Sequence, residues 1–357
     1  MIYFVVIPAI ALLFSIFNSL TMRVVRNPDA KQIDDSVSIL IPMRNEERNV
    51  DEVMSSVLAT SLLTTREIAV LDDHSSDATA VLLKKYPEVR IISGTELPDG
   101  WLGKNFACHQ LVARSTGSYL VFVDADVRLT ERSVAAAITD MNSYGWDFIS
   151  PYPRQIALTF FERLIQPLLQ WSWLVGVPLR IAEKQKNSSL VLANGQFFIV
   201  KRQAYLEVGG HKTIRHEVLE DLELARLLVK QGFKGGIAEG SEVATCRMYR
   251  NQGELFAGYT KSLWRAFGSP LGALVASLLL LLSGVLPLLF AVAGYRLAWI
   301  GYFLIVLSRY VAGIRTRSTL STALLHPLAI VVLVYLIARS WYLKLVGQLV
   351  WRGRSVA

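Results

Sequence analysis

Acidic residues occur in three short groups, and their spacing suits metal and acid–base chemistry. The groups are Asp72-Asp73, Asp124-Ala125-Asp126 and Glu220-Asp221. In an extended segment, side chains at positions i and i+2 point to the same side, so Asp124 and Asp126 can act together. Hard cations prefer carboxylate oxygens. Asp126, assisted by Asp124, is therefore the candidate ligand of Mg²⁺ or Mn²⁺. An ordinary acidic turn is the alternative for this motif taken alone.

Glu220-Asp221 directly precedes a helical pattern of leucines, at Leu222, Leu224, Leu227 and Leu228. A carboxylate placed there can act as a general base that takes a proton from a hydroxyl group. The alternative is that the acidic pair only interacts favourably with the N-terminus of the helix dipole. Asp221 is the candidate base.

Three further groups offer polar contacts to a ligand. Asp72 or Asp73 can accept hydrogen bonds from a nucleoside base or ribose, while Asp77 caps the next helix and His74 is a turn residue. Lys104 follows a glycine-rich stretch and can reach a phosphate near a helix N-terminus, or it is an exposed lysine. In Asn194-Gly195-Gln196, the glycine permits close approach of a ligand to the backbone, or it marks a bend.

Strands and helices alternate between residues 37 and 123. Short apolar runs predict buried strands at 37–41, 67–71, 89–92 and 119–123, and helical periodicity predicts helices at 49–60, 77–86 and 105–114. This alternation predicts an α/β fold with a mainly parallel sheet. Ligands of such sheets bind beyond the carboxyl ends of the strands, where the first two acidic groups lie.

The composition indicates membrane segments. The 357 residues are 52% hydrophobic with a mean hydropathy of +0.38, which is high for a soluble domain. Apolar runs long enough to be candidate spans cover residues 2–20, 271–292, 297–313 and 323–338. Basic residues follow the first run, which favours an uncleaved anchor over a signal peptide. The segment 164–179 is either a buried helix or an element at the membrane surface.

These runs divide the chain into three predicted regions. Residues 1–22 form an N-terminal transmembrane anchor, 23–268 a cytoplasmic catalytic domain, and 269–357 a C-terminal region of two or three spans with a basic tail. The net charge of +8 does not indicate a nucleic-acid partner, because residues 269–357 hold eight basic and no acidic residues. Cys108 and Cys246 are expected to be free thiols, with a lone disulfide as the alternative.

In order along the chain, these motifs resemble the inverting family 2 glycosyltransferases of the GT-A (Rossmann-like) fold. Pro42-x-Arg44-Asn45-Glu46-Glu47 resembles the family's nucleotide-binding loop, and the three acidic groups resemble its nucleoside, metal and base motifs. The resemblance implies a UDP-sugar or other nucleotide-diphosphate sugar, with Asp221 as base and Asp126 and Asp124 as metal ligands. The implied donor-binding residues are Pro42, Arg44, Glu46, Asp72, Asp73, Lys104, Asp124 and Ala125. The implied residues of the acceptor or sugar pocket are Asn194, Gly195, Gln196 and Glu220.

Two further motifs narrow the resemblance. Gly100-Trp101-x-Gly103-Lys104, Trp351-Arg352-Gly353-Arg354 and the apolar segments resemble a membrane-bound bacterial branch that includes carotenoid and hopene-associated glycosyltransferases. This implies a terpenoid or other membrane-lipid acceptor in the bacterial cell membrane. Polyprenyl-phosphate, glycerolipid and sphingolipid acceptors are alternatives, and a transporter or nucleotide-sugar sensor is less favoured. The Gln-x-x-Arg-Trp motif of processive relatives does not occur between residues 247 and 267, which favours transfer of a single sugar.

Overall fold

The computed structural model of the protein describes residues 3–185, 187–351 and 354–355, and of these the side chains at 185, 350, 351, 354 and 355 are not described. Arg352 and Gly353 of the predicted tail motif therefore lie outside the described residues, as does Ile2 at the start of the first apolar run. Chain contacts divide the protein into two compact units. The sheet unit comprises residues 23–154 and 181–246, and the helical unit comprises residues 1–22, 155–180 and 247–357.

The strands are β1 (Val37–Met43), β2 (Arg66–Asp72), β3 (Arg90–Ser93), β4 (Tyr119–Val123), β5 (Val127–Leu129), β6 (Phe148–Tyr152), β7 (Arg154–Gln155), β8 (Phe197–Lys201), β9 (Gly235–Glu239), β10 (Ala244–Cys246), β11 (Val350–Trp351) and β12 (Arg354–Ser355). The helices are α1 (Tyr3–Thr21), α2 (Val50–Leu58), α3 (Thr79–Leu83), α4 (Gly103–Ala113), α5 (Ser133–Ser143), α6 (Phe160–Gly176), α7 (Leu179–Gln185), α8 (Arg202–Glu207), α9 (Gly210–Thr213), α10 (Glu220–Lys230), α11 (Gln252–Ala266), α12 (Pro270–Gly284), α13 (Leu286–Val292), α14 (Arg296–Arg315) and α15 (His326–Leu345).

The sheet unit contains, within its described residues, a seven-stranded sheet of order β3-β2-β1-β4-β8-β6-β9. The strands from β3 to β4 are parallel, β8 is antiparallel to both of its neighbours, and β9 is parallel to β6. This confirms the predicted mixed, mainly parallel α/β sheet. Because β1, β2 and β4 run in the same direction, their carboxyl ends meet at one edge of the sheet.

The central strands form where the sequence is continuously apolar, since both faces of a parallel sheet are covered. All five residues of β4 are buried, and its observed bounds match the predicted strand at 119–123. Helix α3 is shorter than predicted and ends at Leu83 rather than at residue 86. Pro87 follows Tyr86, and a residue before proline is disfavoured in helical conformation, so the helix stops early.

The helical unit fits a membrane association. Within the described residues, four helical segments are long and apolar enough to cross a bilayer: Tyr3–Thr21, Pro270–Val292, Arg296–Arg315 and Ala323–Leu345. They confirm the predicted N-terminal and C-terminal apolar helices. Helix α1 packs closely on α14, because a Cβ atom at Gly301 would overlap the backbone oxygen of Phe4. The Ser15 hydroxyl also donates to the Ser308 carbonyl over 2.9 Å.

Helix α6 is a buried helix of the helical unit, with Leu164, Leu168 and Trp171 in the apolar core of that unit. Pro167 lies inside this helix and has no N–H to donate to the carbonyl of Arg163 one turn earlier. The Thr322 hydroxyl donates to that carbonyl over 2.5 Å, and Arg309 Nη2 donates to the Leu164 carbonyl over 2.8 Å. Side chains from other segments thus donate hydrogen bonds to the backbone carbonyls of α6 near its proline.

Replacing Thr322 with valine should destabilise the helical unit, because the Arg163 carbonyl would lose its short hydrogen bond and keep only the 3.4 Å contact from Arg309 Nη2. Losing one such hydrogen bond costs about 0.5–1.5 kcal/mol of unfolding free energy, which lowers Tm by roughly 1–6 °C. Thermal unfolding of the detergent-solubilised protein measures the change. Thr322→Ser keeps the hydroxyl and should unfold close to the wild-type temperature. Equal Tm values for wild type and Thr322→Val would contradict the assignment.

Candidate functional site

The first two predicted motifs meet at the carboxyl ends of β1 and β2. The register places Pro42 opposite Leu71 and Met43 opposite Asp72. The Asp73 N–H donates to the Met43 carbonyl over 2.8 Å, and Arg44 Nη1 donates to the Asp73 carbonyl over 3.0 Å. The carboxylate of Asp73 also lies 3.9 Å from Arg44 Nη1. Arg44 therefore ties the predicted nucleotide-binding loop to the first acidic group, Asp72-Asp73.

The loops that follow these two strands are hydrogen-bonded along their length. Asn45 has a φ of 53° and accepts from the Ser76 N–H over 2.8 Å. Such left-handed backbone is tolerated by asparagine better than by most residues. The Glu46 N–H donates to the Thr79 hydroxyl over 2.8 Å, and the Glu47 N–H donates to Asp77 over 3.1 Å. His74 is an exposed turn residue with a φ of 54°, as predicted.

Lys104 joins the second and third acidic motifs. Its Nζ lies 2.7 Å from Oδ1 and 3.0 Å from Oδ2 of Asp124, and 2.8 Å from Oε1 of Glu220. Burial lowers the pKa of the Lys104 ammonium, but the charges of Asp124 and Glu220 outweigh burial and hold the pKa well above its usual value. The structure thus brings together residues that the sequence assigned separately to donor and acceptor binding.

Asp221 lies in the first turn of α10, where backbone N–H groups lack partners within the helix. Its Oδ1 accepts from the Leu222 N–H over 2.7 Å, and its Oδ2 accepts from the Gly195 N–H over 2.5 Å. Burial and then the charge of Glu220 raise the pKa of the Asp221 carboxyl to about 7, against the lowering effect of Lys104 and the two N–H groups. Asp221 can therefore exchange a proton near neutral pH.

The loop Asn194-Gly195-Gln196 lies between Asp124 and Asp221. The Asp124 N–H donates to the Gln196 carbonyl over 3.0 Å. Asn194 is buried, and its Oδ1 accepts from the Gln196 N–H over 2.9 Å, which fixes the shape of the loop. A Cβ atom at Gly195 would lie 3.2 Å from Asp221 Cβ and 3.4 Å from Glu220 Oε1, so glycine permits this close approach.

Asp126 has the environment of a cation ligand. Among the described residues, its Oδ1 is a buried atom that accepts no hydrogen bond. Burial, then the charges of Asp124 and Glu46, raise the pKa of the Asp126 carboxyl to about 6. A buried carboxylate oxygen without a donor is suited to a cation, because buried charges are commonly paired or bound to a metal. The residues present therefore fit a divalent metal at Asp126.

The protein by itself supplies few ligands for that metal. Within the described part of the chain, no cluster of three or more His, Cys, Asp or Glu side chains is arranged to hold a metal ion. Magnesium-type ions are commonly held by one or two carboxylates together with phosphate oxygens of a substrate. Asp126 and Asp124 would supply that number of carboxylates.

Two features of the site were not predicted from the sequence. The Cys246 thiol is buried and hydrogen-bonds to the Asp126 carboxylate, because β10 pairs with β5 and places Cys246 opposite Val127. No spacing rule connects a lone cysteine to a distant aspartate, so no sequence signal could have found this contact. The ion pair of Glu220 with Lys104 was also missed, since both residues had been assigned to ligand contacts.

Comparison with known proteins gives the family match and the fold of this chain. The model of glycosyl transferase family 2 matches residues 38–209, a segment that includes every predicted site residue from Pro42 to Gln196. A 4,4'-diaponeurosporenoate glycosyltransferase of Staphylococcus aureus strain MRSA252 is 24% identical over 336 residues, covering 90% of this chain and 88% of the relative. The enzyme of the same description from strain bovine RF122 / ET3-1 is 26% identical over 338 residues, with 90% and 88% covered.

A solved structure shows the same fold over nearly the whole chain. It is a mannosyltransferase from Pyrobaculum calidifontis in complex with GDP-Man and Mn²⁺, and it aligns with 95% of this chain and 99% of its own at 15% identity and a TM-score of 0.55. Residues 38–209 thus match glycosyl transferase family 2, the chain has the GT-A fold, and its sequence resembles the 4,4'-diaponeurosporenoate glycosyltransferases.

Proposed function

We propose that the protein transfers one sugar from a nucleotide-diphosphate sugar, with a UDP-sugar favoured, to a terpenoid acceptor in the bacterial cell membrane. The catalytic domain lies on the cytoplasmic side, and residues 1–22, 23–268 and 269–357 serve as anchor, catalytic domain and membrane region. The main support is the position of the Asp221 carboxylate, which accepts hydrogen bonds from the Gly195 and Leu222 N–H groups. Lys104 contacts both Asp124 and the neighbouring Glu220.

Asp221 is the proposed base. Both of its oxygens are oriented by backbone N–H groups, so the carboxylate cannot rotate freely and stays directed for proton transfer. With a hydroxyl acceptor, Asp221 removes the proton as the oxygen attacks the anomeric carbon, and the single displacement inverts the configuration there. The nucleotide diphosphate leaves without forming a bond to the protein.

The donor is proposed to lie along the edge formed by β1, β2 and β4. Pro42, Arg44 and Glu46 shape the nucleotide side of this edge, and Asp72 and Asp73 accept hydrogen bonds from the nucleoside. Asp126, with Asp124 assisting, would hold Mg²⁺ or Mn²⁺, which when bound neutralises charge on the diphosphate leaving group. Lys104, which contacts Asp124 and Glu220, supplies a positive charge within reach of the same diphosphate.

The acceptor is proposed to be carotenoid-like because the relatives that match 90% of this chain are named for 4,4'-diaponeurosporenoate. That name describes a carboxylate, so the acceptor group here is either a terpenoid carboxylate or a terpenoid hydroxyl. The four apolar segments of the helical unit support a lipid-soluble acceptor of either kind. Asn194, Gly195, Gln196 and Glu220 are proposed to line the sugar or acceptor pocket.

Release of nucleotide diphosphate tests the function directly. The purified protein is incubated with a panel of UDP- and GDP-sugars and Mn²⁺, with and without terpenoid alcohols and acids in detergent. Acceptor-dependent release, together with one added sugar on the terpenoid by mass spectrometry, supports the proposal. Equal release of nucleotide diphosphate with a glycerolipid or a polyprenyl phosphate in place of the terpenoid would contradict a terpenoid-specific acceptor and indicate those lipid classes.

Asp221→Asn should lower kcat with a terpenoid alcohol by about 10²–10⁴-fold, the usual contribution of a general base. Binding of the nucleotide, measured by calorimetry, should stay near wild type because the amide keeps the shape of the side chain. Asp140→Asn is the control, since Asp140 is also a poorly exposed aspartate of the sheet unit but lies on α5. Wild-type turnover in Asp221→Asn would remove Asp221 from the role of base.

The pH dependence should differ between acceptor classes. Since the pKa of Asp221 is raised to about 7, the carboxyl is protonated below that pH and cannot act as base. With a terpenoid alcohol, kcat/KM should fall about tenfold per pH unit on the acid side of this pKa. A terpenoid carboxylate brings no proton to remove, so its profile should not show this loss. A flat profile with the alcohol would contradict a base of this pKa.

Gly195→Ala should lower kcat by on the order of 100-fold, because the added methyl group pushes against Asp221 and Glu220 and misplaces the base. The fold should persist, since nothing else in the loop changes. Gly236→Ala is the matched control in the same unit, where a Cβ atom would meet only Trp146 at 4.0 Å. Steady-state kinetics and Tm of both variants are compared. Equal kcat values in the two variants would show that Gly195 does not set the position of Asp221.

A further inference from the structure

Lys104 occupies a position where helix electrostatics disfavour a cation. It is the second residue of α4, which begins at Gly103 and whose preceding residue, Leu102, offers no side-chain cap. The N-terminus of a helix carries partial positive charge and stabilises anions. A lysine in this turn lowers local stability unless negative groups compensate for it. The conflict between residue type and position indicates a role outside the helix.

The compensating groups are two residues of the predicted site. Both oxygens of Asp124 lie within 3.0 Å of Lys104 Nζ, and Glu220 Oε1 lies at 2.8 Å. The side chains of Asp124 and Glu220 are 26% and 13% exposed, so these are partly buried ion pairs rather than surface ones. Each Asp124 oxygen keeps a second lone pair, but a divalent cation bound there would lie close to the ammonium and be repelled by it, so binding at Asp124 favours movement of Lys104 away from this contact.

Asp126 behaves differently although it is only two residues away. Its Oδ1 accepts no hydrogen bond among the described residues, so it can receive a cation without displacing a donor. The two carboxylates of the motif are therefore not equivalent. A cation that binds to Asp126 competes with Lys104 for Asp124 but not for Asp126 itself.

We propose that Lys104 is an exchangeable internal cation that holds Asp124 and Glu220 until the divalent metal and donor arrive, then yields Asp124 to the metal and turns to the donor diphosphate. The proposal rests on the proposed function and deepens it, since it assigns Lys104 a positioning role with two successive partners. The exchange conserves charge compensation: the metal replaces the ammonium at Asp124, and the ammonium meets the incoming phosphate oxygens.

Binding of Mn²⁺ alone to the full-length protein tests the exchange. Calorimetry without nucleotide compares wild type, Lys104→Met and Lys201→Met. Lys201 is a matched control, because its ion pair with Asp147 has the same side-chain exposures, 38% and 26%, as the pair of Lys104 with Asp124. Asp126→Ala should remove the metal site, so the heat of Mn²⁺ binding that is lost in this variant is the heat of binding at that site.

Lys104→Met should bind Mn²⁺ more tightly than wild type, by on the order of tenfold or more, because no charged hydrogen bond must be displaced. Lys201→Met should bind as wild type does. Lys104→Met should also bind the nucleoside diphosphate more weakly than wild type in the presence of Mn²⁺, since its contact with the phosphate is lost. Unchanged or weaker Mn²⁺ binding in Lys104→Met, or no Mn²⁺ binding in either protein, would overturn the exchange.

A second measurement uses wild-type protein and does not depend on folding of the variant. A brief pulse of an amine-acylating reagent, read by mass spectrometry, should modify Lys104 faster as Mn²⁺ is added, with Lys201 as internal reference. A constant rate at Lys104 while Mn²⁺ binds would also overturn the proposal. Sugar transfer by wild type would be unaffected by these outcomes, so a failed exchange is distinguishable from a failed function.

Discussion

The carboxyl ends of β1, β2 and β4 lie at an edge of the sheet that holds several carboxylates close together. These negative charges repel one another, and neighbouring groups of the protein offset part of the repulsion. The charges of Asp124 and Glu46 act on Asp126, and the charge of Glu220 acts on Asp221. Two unit charges about 4 Å apart repel by up to about 4 kcal/mol at an effective dielectric constant of about 20. Lys104 and the N–H groups of Gly195 and Leu222 offset part of this energy. Burial first, and then the repulsion that remains, raise the pKa values of Asp126 and Asp221.

The antiparallel strand β8 brings the loop before it into contact with two of the acidic motifs. It pairs antiparallel with β4 from Val123↔Phe197 onward, so its starting residues lie beside the carboxyl end of β4. The loop before β8 therefore meets Asp124 through the Gln196 carbonyl and Asp221 through the Gly195 N–H. A wholly parallel sheet would place the start of this strand at the opposite edge. The mixed topology is thus a condition for joining the second and third acidic motifs.

Much of the fold was predictable because local sequence decides it. The strand at 119–123 and the apolar helices follow from continuous apolar runs, and the early end of α3 follows from Pro87, which periodicity alone overlooked. For the site, the sequence predicted the motifs but not the contacts between them. The pairing of Lys104 with Glu220 and the contact of Cys246 with Asp126 depend on register between distant strands and helices. Residue type does not encode that register.

The two aspartates of Asp124-Ala125-Asp126 show why a motif underdetermines its chemistry. Alternation in an extended segment makes them look equivalent. The structure gives Asp124 a lysine on both oxygens and gives Asp126 a thiol donor and an oxygen without one. A cation therefore meets a ready ligand at Asp126 and a competitor at Asp124. In the proposed exchange, metal affinity depends on Lys104, a residue outside the motif, so substitutions at that lysine would tune cation binding while both aspartates stay unchanged.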